Sequence, residues 1–190
     1  MSTSPVSERL MTADEFWELP EPEHGGRMEL VAGRVVTEMP VGRLHARIAA
    51  ALAFFLTDFV RSRRLGEVHV EMGHRTTRVP DSVRAPDVSF VSAVRLAQLD
   101  DDGFAEDSPT LAIEVISRND REREIARKVE EYLDAGSQRV WIVRPKNRTV
   151  TVHRPGGDSH TYGRDDVLDS ADAGFAAEGF RLPLEELFAE

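Results

Sequence analysis

The chain has 190 residues, enough for one domain with a full hydrophobic core, and no shift of composition asks for a second, so residues 1–190 are read as a single domain. It contains no cysteine, which excludes disulfides, a thiolate zinc site and a cysteine nucleophile. Its net charge of -10 argues against broad electrostatic attraction to nucleic acid, so any such contact must rest on local cation clusters.

In chain order, Thr12-Ala13-Asp14-Glu15 has the pattern of a helix start with a capping box, and Phe16, Trp17 and Leu19 give it an apolar side before Pro20. After a Pro/Glu/Gly-rich loop over 20–26, the apolar pairs of 28–31 and 34–37 flank Ala32-Gly33 and predict a β-hairpin that carries Glu29 on a strand. Leu44, Ile48, Leu52, Phe55 and Phe59 recur at helical spacing over 44–60, and Arg61, Arg63 and Arg64 close that helix as C-terminal charges. Strands are predicted over 68–77 and 83–91, separated by a turn at Pro80-Asp81, with a short helix over 94–99 and an acidic loop, which includes Asp100, Asp101 and Asp102, through Pro109.

The strand over 111–116 is apolar except for Glu114, the pattern of a central strand covered on both faces. Asn119 and Glu122 read as a helix-start pair, Ile125, Val129, Tyr132 and Leu133 line one helix face, and Gly136 ends it. The strand over 140–143 completes a strand-helix-strand unit, for which a parallel, right-handed crossover is the usual solution. Segments 149–153 and 159–162 extend it as a β-meander, and Leu184, Leu187 and Phe188 form a short amphipathic cap on the core after Pro183. No apolar run approaches the roughly 20 residues of a membrane span. The start over 1–7 lacks the order of a signal peptide, so a cytoplasmic protein is expected.

Only two lysines occur among the 24 basic residues, Lys128 and Lys146, so a lysine here marks a place for a compact, rotatable ammonium, although a solvated helix flank explains Lys128 equally. An ionised Glu114 in a doubly covered strand costs several kcal/mol unless it is paired or metal-bound; the residues alone leave a metal ligand and an ion pair, with Arg84 or Arg121, equally open. Asp87 follows Pro86 in a second apolar stretch, and two carboxylates on neighbouring strands suit Mg2+, which takes one or two carboxylates and leaves its other positions to water and phosphate. Lys128 sits at the edge of its helix's apolar stripe, from which its amine either reaches the strand ends or faces water. Glu29 and His45 are further candidates, each with an ordinary structural explanation. His24, His69, His74, His153 and His160 have no zinc-ligand spacing.

The succession Met28-Glu29-Leu30-Val31-Ala32-Gly33, His45, Arg84-Ala85-Pro86-Asp87-Val88, Glu114-Val115-Ile116-Ser117, Lys128 with Tyr132 and Gly136, and Val140-Trp141-Ile142-Val143 resembles the Uma-type restriction-endonuclease family of the PD-(D/E)XK nuclease superfamily. The resemblance runs over roughly 12–153. It implies an α/β fold with a restriction-endonuclease-like mixed central sheet flanked by helices, and a Mg2+-dependent (or Mn2+-dependent) endonuclease acting on DNA, often as a homodimer. Asp87 and Glu114 would be the metal ligands, Lys128 the water-assisting amine, and Glu29 and His45 supporting residues. One departure stands out: Ile116 occupies the position two after Glu114 where the simple motif has lysine, so the amine must come from the following helix, as Lys128. Arg75, Arg78, Arg118 and Arg121 are the expected phosphate contacts, and the apolar residues of the meander edge and the C-terminal segment are candidate dimer interface. Two other functions compete with DNA cleavage: a non-catalytic nuclease-fold module that binds nucleic acid or protein, motivated by the acidic surface and displaced lysine, and a hydrolase of small phosphate esters.

Overall fold

The computed structural model describes residues 9–22, 25–100, 102–118 and 120–189. The expectations placed on residues 1–7, His24, Asp101 and Asn119 lie outside them. A six-stranded mixed sheet forms the centre, in the order β10 (Ser159–Tyr162), β9 (Thr149–His153), β8 (Arg139–Arg144), β7 (Leu111–Val115), β6 (Val88–Ser92), β3 (Gly66–His69). A four-stranded sheet stands beside it, in the order β2 (Arg34–Glu38), β1 (Arg27–Val31), β5 (Ser82–Arg84), β4 (His74–Thr77).

All five residues of β7 are buried, and β7 runs parallel to β8 and antiparallel to β6. Because side chains alternate along a strand, its two faces serve different helices. Leu111, Ile113 and Val115 join the main core under α2 (Arg43–Arg63), packed with Ile48, Leu52, Leu56 and Trp141. Ala112, with Val140 and Ile142 of β8, packs instead under Ile125, Val129 and Tyr132 of α4 (Glu122–Asp134). Glu114 has the parity of Ala112, so the strand turns its carboxylate towards α4.

Two predicted strands are each broken in two. The segment 68–77 divides into β3 and β4, and 83–91 into β5 and β6, with the halves in different sheets. Pro86 has no N–H to offer a ladder at the second break. At the first, Glu71 takes the left-handed conformation (φ 55), and a Cβ on Gly73 would lie 2.3 Å from the Phe104 ring. Asp87 therefore occupies the bend where the chain enters the large sheet, one residue before β6, rather than the strand itself. The first helix, α1 (Ala13–Trp17), carries the expected reciprocal capping box between Thr12 and Glu15. Its Phe16 joins Leu30 and Val83 in a small core on the four-stranded sheet.

The remaining short helices are α3 (Ala93–Leu96), α5 (Ser170–Ala173) and α6 (Leu184–Leu187); α5 and α6 go with the small sheet of β11 (Val167–Asp169) and β12 (Arg181–Pro183). This C-terminal unit inserts Leu168, Leu182, Leu184, Leu187 and Phe188 into the main core. Those side chains, with Val150 and Val152 of the meander, are spent on the interior and are not dimer interface. Among the described residues no helix is long and apolar enough to cross a membrane.

His74 joins the two sheets. Its Nδ1 donates to the Asp107 carbonyl at 3.1 Å, which fixes the tautomer and leaves Nε2, 3.3 Å from Ser89 Oγ, as the acceptor. Burial depresses its pKa from 6.5 to about 4. The unfolded chain thus binds the proton first, and this residue's contribution to stability is full above pH 6.5 and lost as pH falls towards 4. The stability advantage of the wild type over His74→Gln, from urea denaturation, is expected to shrink by on the order of 3 kcal/mol across that window; a pH-independent difference would show that His74 is not buried as the neutral form.

Candidate active site

Lys128 and Tyr132 lie one turn apart on α4, and the turn brings both over Glu114. The Tyr132 hydroxyl donates to Glu114 Oε1 at 2.8 Å, and Lys128 Nζ donates to Oε2 at 3.3 Å. The same ammonium reaches Glu29 Oε1 at 3.3 Å and Glu38 Oε1 at 3.1 Å, so its three protons meet three carboxylates. Burial would lower the Lys128 pKa, but Glu114, Glu29 and Glu38 outweigh it and hold the value above the ordinary one. For Glu114 the balance goes the other way: burial, with repulsion from Asp87 and Glu29, overcomes Lys128 and Arg27 and pushes the carboxyl up to about 7.

Asp87 sits opposite Glu114 at the end of the β6–β7 ladder. Its Oδ2 accepts the Val115 N–H at 2.7 Å and lies 3.2 Å from His45 Nε2, while Oδ1 accepts from Arg27 at 3.1 Å. Burial alone would raise its pKa, but the His45 hydrogen bond, Arg27 and the backbone donor hold it below the usual carboxylate range. His45 itself is raised, burial being offset chiefly by its contact with Asp87. Its Nδ1 is buried without a partner among the described residues.

Glu29, on β1, ties the four-stranded sheet to this centre. Its Oε2 accepts from Arg84 at 2.8 Å and its Oε1 from the Ala85 N–H at 3.1 Å as well as from Lys128. Arg84 then reaches Glu131 on α4. The Arg27–Glu38 pair, facing across the β1–β2 hairpin, closes the ring of charges.

These groups lie along a cleft of about 580 Å³ bounded by the β2–α2 connection, the end of β7 and the start of α4. Asp87, Glu114, Lys128 and His45 line it, while Glu29 sits behind Lys128. Of the expected phosphate contacts, Arg118 lines the cleft and Arg121 an adjoining depression that shares Glu124 with it. Arg75 and Arg78 are placed elsewhere: Arg75 binds Asp81 at 2.8 Å and Arg78 binds Glu106 at 2.6 Å, and neither borders the cleft. Sequence reasoning missed Arg27, Glu38 and Tyr132 as members of the centre. A trace was present for each: Arg27 and Glu38 stand one residue outside the two arms of the predicted hairpin, and Tyr132 follows Lys128 by four residues.

The mixed sheet, with an acidic pair and an amine gathered at one end of its central strands, defines a nuclease-like α/β domain. The chain belongs to the Uma2 family, described as "Putative restriction endonuclease", whose profile matches residues 13–185. It is also similar in fold to the crystal structure of "a putative nuclease belonging to DUF820" from Anabaena variabilis, with a TM-score of 0.76 and 23% sequence identity over 94% of this chain and 98% of that one. No protein of curated function is significantly similar to it.

Removing the phenol donor tests how the centre is held. Tyr132→Phe leaves Glu114 Oε1 buried without its partner and is expected to cost about 1–2 kcal/mol, seen as a fall in Tm of roughly 3–6 °C. A variant as stable as the wild type would show that the phenol does not hold Glu114.

Proposed function

We propose that this protein is a divalent-metal-dependent endonuclease that hydrolyses DNA phosphodiester bonds at the Asp87–Glu114–Lys128 centre. The observation that carries the reading is the position of Lys128: in a chain with Ile116 two residues after Glu114, an amine from α4 stands 3.3 Å from the Glu114 carboxylate, with both groups lining the cleft.

Asp87 and Glu114 would hold the metal, Mg2+ or Mn2+. The donor set fits such an ion: Asp87 Oδ1 accepts from Arg27 and Glu114 Oε2 from Lys128, each keeps lone-pair capacity, and hard divalent ions need only one or two carboxylates. Among the described residues no cluster of three or more such ligands is formed, so water and substrate oxygens would complete the shell. When bound, the ion supplies positive charge against the phosphate oxygens.

The chain's own groups supply the rest. Lys128 remains protonated, so it donates rather than accepts; the N–H that now meets Glu114 would turn to the attacking water when that carboxylate takes up the ion, and the ammonium would stabilise charge that builds on the phosphate oxygens. Glu29 and Glu38 hold the ammonium over the site. His45 and the Val115 N–H orient Asp87, and Arg27 spans Asp87 and Glu38 across the mouth. Among Arg75, Arg78, Arg118 and Arg121, the last two have the position to bind phosphate.

The saturation of Lys128 by three carboxylates favours one competing reading, a nuclease-fold module that binds without cleaving. Cleavage separates the two. Purified protein with Mn2+ or Mg2+ is expected to cut DNA, and Glu114→Gln, Asp87→Asn and Lys128→Met are each expected to lower the rate at least about a hundredfold with the fold retained by circular dichroism. Equal cutting by Glu114→Gln would sink the assignment.

A further inference from the structure

The two walls of the cleft differ in kind. On one side β2, the β2–α2 connection and the start of α2 present Val36, Met39, Pro40, Val41 and Leu44, with Met39 78% exposed. An exposed apolar run beside a charged centre has no use in the packing of the chain. On the other side stand Arg118 and Lys146 at the cleft and Arg121 and Arg123 in the adjoining depression. None of these four cations has an ion-pair partner among the described residues, in contrast to Arg127 and Arg144 close by, which are held by Glu131 and Glu122. In a chain of net charge -10, unpaired cations gathered at one lip are a local phosphate track.

A duplex entering such a cleft would set a charged sugar-phosphate backbone against each wall, and the apolar wall has nothing to receive one. A single strand has two unlike sides: phosphates on one, and on the other bases whose faces bury readily against apolar side chains. The geometry points to unpaired DNA as the preferred ligand, its phosphates running along Arg118, Lys146, Arg121 and Arg123 and its bases packed on Val36, Met39 and Val41. Two acids stand beside that path: Asp120 at the cleft, whose Oδ2 accepts the Ser117 N–H, and Glu124 between the cleft and the depression. This inference rests on the nuclease reading for the place of the substrate, and extends it by naming the strand state that fits.

The test measures binding apart from cutting. A fluorescent DNA strand of about 16 nucleotides, alone or annealed to its complement, is titrated with protein in EDTA and followed by anisotropy. The single strand is expected to bind at least about tenfold more tightly than the duplex. Met39→Asp with Val41→Asp is expected to weaken single-strand binding about tenfold without lowering Tm, because both side chains are exposed. Arg118→Ala with Arg123→Ala is expected to reduce the slope of log affinity against log salt by about 0.7 for each phosphate that is no longer neutralised, and Glu124→Gln to tighten binding. Duplex bound as tightly as the strand, or a double aspartate variant that binds normally, overturns the inference, as does a variant that only converts a dimer to a monomer. Adding Mn2+ separates the two readings: a strand that is bound as described but never cut leaves the inference standing and removes the nuclease, whereas duplex bound and cut does the reverse.

Discussion

The burial of one carboxyl group, that of Glu114, organises the active end of the molecule. A charge in the middle of a doubly covered strand is expensive to desolvate, and breaking its compensation is more costly than never having placed it there. Strand parity turns the group towards α4, where Tyr132 and Lys128 stand one turn apart to meet it. Lys128 is then buried in turn, and Glu29 and Glu38 answer its charge from the other sheet. Arg84 and Arg27 answer those. The two sheets and α4 are thus joined by a chain of ion pairs in which each member exists because of its neighbour. The carboxylates Glu29, Glu38, Asp87 and Glu114 meet the cations Arg27, Arg84 and Lys128, with His45 beside Asp87 and Glu131 beside Arg84, and burial pushes the Glu114 carboxyl up to about 7.

Where local periodicity speaks for tertiary context, the sequence is legible. The apolar run around Glu114 has the pattern of a covered central strand, which β7 is, α2 and α4 announce themselves by helical spacing, and Thr12 with Glu15 forms the capping box its pattern describes. The strands over 68–77 and 83–91 read too long because β-propensity continues across a change of sheet. Only the missing N–H of Pro86 and the crowding of Gly73 against Phe104 mark the breaks. The C-terminal unit of β11, α5 and β12 is invisible in the sequence, since three-residue strands carry no period to read, and apolar residues of this region that look available for an interface complete the main core instead.

The centre shows the same division. Asp87, Glu114, Lys128, Glu29 and His45 fall together because the family pattern encodes their order along the chain. Arg27, Glu38 and Tyr132 escape a sequence reading because their part depends on which way a hairpin end or a helix turn faces. Cations are the hardest to place from sequence. Arg75 and Arg78 have the same local appearance as Arg118 and Arg121, yet Asp81 and Glu106 hold the first two away from the cleft. In an acidic, arginine-rich chain, an arginine's availability is set by the acids the fold brings beside it.

Whether Asp87 and Glu114 form a cation site is tested most directly by calorimetric titration of Mn2+ into the wild type and Glu114→Gln at pH 7, in two buffers of different ionisation enthalpy. The wild type is expected to take up the ion with release of protons, since burial holds the Glu114 carboxyl partly protonated and metal binding displaces that proton, and Glu114→Gln to lose the uptake. No Mn2+ uptake by the wild type, or equal uptake by the variant, would contradict the cation site and leave the centre as a structural ion-pair network.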